Sequence, residues 1–181
     1  MSITKKRILA ILGIVLTTGS LGLFWAALPA LGHESREGVP YSFEVGFVQE
    51  PVFRGFPNGV DIFITRTSDD RPINKKKGDV VDLSVEVQLR DREAFDSRIM
   101  QSAKLDPPTQ AFDVENEYKS WFLPAVVGTY AFHITGTVSD DSDPKAGRQQ
   151  IDLTFVCGKG SQDTDTEFDC VKAPQLFPSG Q

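Results

Sequence analysis

Two histidines, His33 and His133, and two cysteines, Cys157 and Cys170, are the groups through which this chain can bind a soft or borderline metal or do redox chemistry. Divalent copper favours nitrogen and oxygen ligands in a tetragonal plane. If the chain were cut after Gly32, His33 would carry a free amine beside its imidazole and offer two such nitrogens, with His133 available to complete the site. The cysteines lack the Cys-x-x-Cys spacing of a redox pair, so they are expected to form a structural disulfide. It would close a loop of about 14 residues and contribute on the order of 3 kcal/mol by the chain-entropy model. Within that loop Asp163, Asp165, Glu167 and Asp169 alternate, a spacing that can wrap a hard cation such as calcium. The glycine at the sixth position and the glutamate at the twelfth that an EF-hand requires are absent. The order of expectation is no cofactor first, copper second and calcium third.

Catalysis finds little material. There is no Gly-x-Ser-x-Gly elbow, and once the disulfide forms no thiol remains as a nucleophile. Carboxylate pairs such as Asp140 and Asp141 fall in turns, where full ionisation is expected. A non-enzymatic role follows. Binding surfaces have better candidates: Phe53 and Phe56 lie in the turn-rich stretch 50–59, and Trp121 stands next to Phe122 in an alternating segment that must send the two rings to opposite faces. Such rings either anchor a partner or tuck under the loop and close one end of the core.

The elements that position these groups are β-strands. Period-two alternation places Tyr41, Phe43, Val45 and Phe47 on one face, then Val60, Ile62 and Ile64, then Val81, Leu83, Val85, Val87 and Leu89. Shorter segments follow at 98–105, 117–123, 129–136 and 149–157. Seven antiparallel strands separated by Gly, Pro, Asn and Asp clusters predict an all-β, immunoglobulin-like sandwich. Tyr130 opens the sixth strand, where a corner tyrosine would hydrogen-bond back to the preceding turn. Tyr130, Phe132 and Ile134 share one face, which leaves His133 on the other, toward solvent.

Before the sandwich lie Lys5, Lys6 and Arg7, an apolar run over 8–31, and a small-residue exit at Ala30 and Gly32. This is the pattern of an export signal, whether cleaved after Gly32 or retained as an anchor helix that contacts the membrane through 8–31. The expected organisation is a signal peptide or anchor over 1–32, a sandwich with its disulfide loop over 33–172, and a flexible tail over 173–181. The part beyond residue 32 holds 25 acidic against 16 basic residues, a net charge of −9. Such a domain repels phosphate backbones, and nucleic acid is excluded as a partner. An envelope protein or a small ligand outside the cytoplasm is the expected partner.

Gly32-His33, Pro40-Tyr41-Ser42-Phe43-Glu44-Val45-Gly46-Phe47, Glu50-Pro51, Gly55, Pro57-Asn58-Gly59-Val60 and Gly128-Thr129-Tyr130-Ala131-Phe132 resemble exported bacterial domains of the YtkA-like type. The resemblance covers about residues 32–157. It implies a small immunoglobulin-like sandwich related in shape to the CopC-like copper carriers. Carriers of that type bind Cu(II) through a mature N-terminal histidine, an aspartate and a second histidine, and His33 would match the first. The chain departs from that pattern in having no Met-rich loop, since Met100 is the only methionine after Met1, and no Asp-x-His before its last strand.

Overall fold

The computed structural model describes residues 32–38, 40–143, 147–158 and 167–174, so the expected helix over 8–31 lies outside the described residues. The described chain is all β apart from one 3-10 turn at Lys75–Lys77. Its strands are β1 His33–Arg36, β2 Tyr41–Phe47, β3 Asn58–Arg66, β4 Arg71–Pro72, β5 Val80–Arg90, β6 Ile99–Lys104, β7 Thr109–Gln110, β8 Glu117–Phe122, β9 Thr129–Ser139 and β10 Gln149–Val156. One antiparallel sheet has the order β1-β2-β3-β8-β7, with β4 also paired to β3; the other has the order β10-β9-β5-β6. The two form a β-sandwich. Each of the seven expected segments is a strand, because alternating apolar side chains bury one face of a pleated sheet and wet the other.

The core is the sum of those alternating faces. Phe43, Val45, Phe47, Val60, Ile62, Ile64 and Tyr118 from the first sheet meet Val81, Leu83, Val85, Val87, Phe132, Ile134 and Phe155 from the second, all buried. Phe47 is its aromatic hub. Its ring lies 4.9 Å from that of Phe132 and 5.7 Å from that of Phe168, both edge-on. Phe168 stacks on Phe132 at 5.3 Å, so the C-terminal end of the disulfide loop is a core element. The Cys157–Cys170 disulfide holds it there, and a disulfide suggests an oxidising, extracytoplasmic environment.

Strand β1 was not apparent from the sequence pattern, because two of its four residues are charged and point into the protein. Glu34 is fully buried and its Oε1 accepts from Arg36 Nε at 2.8 Å. The Arg36 guanidinium in turn lies 4.6 Å from the Phe155 ring centroid. A paired cation thus lies over an aromatic face where the two sheets end at β1 and β10. His33 is the first residue of this strand, paired with Gly46.

The loops where β3 passes into β4 and β9 ends are tied by charge. Asp79 accepts from Arg71 Nη1 at 3.0 Å, from the Asn74 backbone N–H at 2.8 Å and from the Asp141 backbone N–H at 2.9 Å. Asp140 accepts from Arg66 Nη1 at 2.8 Å and from the Ser142 hydroxyl at 2.6 Å, while its own N–H donates to the Tyr41 hydroxyl at 2.9 Å. The expectation of a solvated turn carboxylate at Asp140 is therefore corrected: its side chain is fully buried. It stays ionised all the same. Burial alone would raise its pKa, but hydrogen bonds from Ser142 and the charges of Arg71 and Arg66 hold it below the usual carboxylate range.

Candidate functional site

The opposite end of the sandwich collects most of the residues singled out for binding. The β2–β3 connection turns back through Asn58, whose side chain donates to Gln49 O at 2.8 Å and accepts from Gln49 N–H at 3.2 Å. It is then laced to two neighbours by backbone bonds. Gly55 N–H donates to Pro124 O at 2.8 Å, Arg54 N–H to Lys172 O at 3.0 Å and Lys172 N–H to Val52 O at 2.8 Å. Val171 and Gly128 exchange bonds of 3.0 and 3.1 Å in the same way. Tyr130 completes the corner as the sequence led one to expect: its hydroxyl donates to Val126 O at 3.0 Å and accepts from Val126 N–H at 3.3 Å. Burial pushes the Tyr130 phenol up, consistent with a hydroxyl committed to the neutral form.

Upon this rigid backbone the side chains divide. Phe53 is half-buried and Phe56 is 58% exposed. Phe122 packs inward, 6.1 Å from the rings of both Phe47 and Tyr130, while Trp121 faces out and is also 58% exposed. Gly59 lies beside Trp121 across the β3–β8 pair, and a Cβ there would meet the indole at 3.3 Å, so the absent side chain makes room for the ring. Leu123, Val126 and Val127 are exposed as well. The sequence reading missed these three, although an apolar run directly after an alternating strand, around a proline, was a signal of surface rather than core. Between this loop and β6 runs a groove of about 240 Å³ lined by Val87, Leu89, Leu105, Phe122, Leu123 and Val126, among others.

His33 sits on the outer face of the first sheet, over a second glycine. A Cβ on Gly46 would meet the imidazole at 3.0 Å, and the ring lies edge-on to Phe63 with centroids 5.5 Å apart. Its Nε2 is 3.6 Å from Asp61 Oδ2, both side chains nearly buried. Neither ring nitrogen, nor Asp61 Oδ1, has a hydrogen-bond partner among the described residues. Close by, Glu50 accepts from the Asp169 N–H at 3.1 Å, and burial pushes its carboxyl up to about 7. Glu50 lines a cavity of about 430 Å³ with Gly32, Gly158, Glu167, Phe168 and Asp169.

The remaining candidates are placed apart. His133 is on the outer face of the other sheet, its Nε2 2.9 Å from Asp152 Oδ1 and its Nδ1 3.6 Å from Glu86 Oε2. The structure thus sets the two histidines on different sheets and does not bring them together. Of the acidic series, Asp163 and Asp165 lie outside the described residues; Glu167 is exposed and Asp169 pairs with Lys172 Nζ at 2.8 Å. Among the described residues, no group of three His, Cys, Asp or Glu side chains is arranged to hold a metal ion.

No protein-family model matches the chain, and no curated protein matches it. Among solved structures it is similar to a DUF4426 family protein from Pseudomonas aeruginosa, at 9% identity and a TM-score of 0.42, over 69% of this chain and 94% of that one. So slight a likeness carries no argument about function, and it lends no support to the YtkA-like or CopC-like resemblance.

Proposed function

We propose that this protein is a non-catalytic, immunoglobulin-like binding module working outside the cytoplasm, and that the end bearing Phe56 and Trp121 receives its partner, an envelope protein or a small ligand. The observation that carries this reading is that both rings are 58% exposed on a backbone fixed from several sides. Large aromatic rings held rigidly in water lose little entropy on contact and supply much of the energy of interfaces. The disulfide fits an exported protein, and with both cysteines bonded no thiol is left for catalysis. Photo-crosslinking residues at Phe56 and Trp121, compared with one at Asp152 on the other sheet, test the proposal in the envelope of the producing cell. Discrete adducts are expected from the first two positions alone; equal labelling from Asp152, or none from the loop positions, overturns it.

A copper-carrying role has one observation in its favour, the nearly buried His33 and Asp61 with unpartnered polar atoms. They would offer copper a nitrogen and an oxygen, and cleavage after Gly32 would add the His33 amine. Titration of Cu(II) into protein with a verified His33 N-terminus tests this, and an affinity unchanged by His33→Ala removes it.

A further inference from the structure

The apolar run 8–31 is joined to strand β1 by Gly32 alone. One residue of chain spans at most about 3.6 Å, so the start of β1 stays beside whatever holds the run. The sheet register fixes which end of the sandwich that is. His33 pairs with Gly46 near the end of β2, Phe47 pairs with Val60 near the start of β3, and Asn58 pairs with Phe122 at the end of β8. Gly32 is therefore at the end that carries Phe56, Trp121, Leu123, Val126 and Val127, all exposed. Phe112, 98% exposed, is at the opposite end.

We infer that 8–31 is retained as a membrane anchor and that this end of the sandwich rests on the extracytoplasmic face of the same membrane, with Phe56, Trp121 and Leu123 among the lipids. The inference rests on the reading that this is the binding end, and it names lipid as the small ligand. Neither 51–57 nor 118–130 contains a carboxylate, in a chain that has 25. Their exposed surface is made of aromatic and aliphatic side chains, with Arg54 beside them. Tryptophan and its neighbours of this kind are what the boundary between headgroups and hydrocarbon accepts. The groove lined by Leu123 and Val126 carries the apolar surface inward between the sheets. Carboxylates at the same end, such as Glu50 and Asp169 beside Gly32, lie outside those two stretches. With a net charge of −9 beyond residue 32, the domain is suited to neutral headgroups rather than anionic ones.

The full chain, reconstituted in phosphatidylcholine vesicles with brominated acyl chains, is read through a fluorescent amino acid placed at Phe56, Leu123 or Phe112. Strong quenching is expected at Phe56 and Leu123, and none at Phe112. Trp121→Glu is expected to lower the quenching at Phe56 about twofold with the melting temperature unchanged, because a charge in place of the ring lifts this end from the lipid. Equal quenching at Phe112, none at Phe56, or quenching at Phe56 indifferent to Trp121→Glu overturns the inference. An exported protein whose intact mass lacks residues 1–32 overturns it equally. Crosslinks from Phe56 and Trp121 to an envelope protein, without quenching, overturn the lipid and leave this the binding end; the absence of both overturns the two readings together.

Discussion

At the end of the sandwich where β3 passes into β4, Asp79 and Asp140 are fully buried and gather Arg66, Arg71 and several backbone N–H groups around them. At the other end Phe56, Trp121, Leu123, Val126 and Val127 stand in water, while the backbone beneath them is held by interloop hydrogen bonds and a disulfide. Phe112 is the exception at the first end, exposed with Lys76 Nζ 5.4 Å from its ring. The difference separates two ways of making loops rigid. Buried charges spend the side chains on the fold itself; backbone lacing leaves the side chains unspent, and a protein that binds through loops needs that freedom.

The contrast breaks if the charged end proves unimportant for stability. Asp79→Ala leaves Arg71 with Asp140 as its one remaining carboxylate and strands the buried N–H groups of Asn74 and Asp141, and should cost about 3 kcal/mol, read from the urea midpoint. A loss below about 1 kcal/mol would mean that the network is no more than a solvated surface feature.

A smaller, pH-dependent effect is expected at Glu50. Folded Glu50 keeps its proton to about 7, whereas an unfolded glutamate releases it near 4.5. Between those values the folded state binds the extra proton, so stability falls as pH rises from 4.5 to about 7, and the loss is complete above that. Glu50→Gln keeps an oxygen to accept from the Asp169 N–H. It should therefore raise the melting temperature at about pH 8 and leave it almost unchanged at about pH 4. The same increment at both values would show that Glu50 stays ionised.

The smallest effect sharpens the comparison most. Trp121→Ala should change stability by no more than about 0.5 kcal/mol, because the ring is mostly in water. A loss of about 2 kcal/mol would make Trp121 a structural cover over Gly59 and remove it from any binding surface.

Much of this architecture is legible in the chain. The alternation Val81, Leu83, Val85, Val87, Leu89 marks β5 as plainly as the structure does, and Tyr130 announces its corner bonds. Strand β1 is not legible, since Glu34 and Arg36 look like surface residues until the ring of Phe155 is placed beneath the guanidinium. Nor is the meeting of His33 with Asp61. That contact depends on Gly46 lying between them in the β1-β2-β3 register, 13 residues from one and 15 from the other in sequence. Asp140 looked like a turn carboxylate for the same reason, because its cations arrive from Arg66 and Arg71 on a distant segment.

Taken alone, the sequence determined seven of the ten strands and which face of β2, β3, β5 and β9 is buried, because period-two alternation is a local property that each such strand carries within itself. It also determined that two cysteines near the end of the chain could be joined. Only the tertiary structure decided which charged residues are buried, which of Phe53, Phe56, Trp121 and Phe122 reach water, and which strand is left with an unpaired edge. Those outcomes depend on what residues far away in the chain place opposite each side chain, and no local pattern records that.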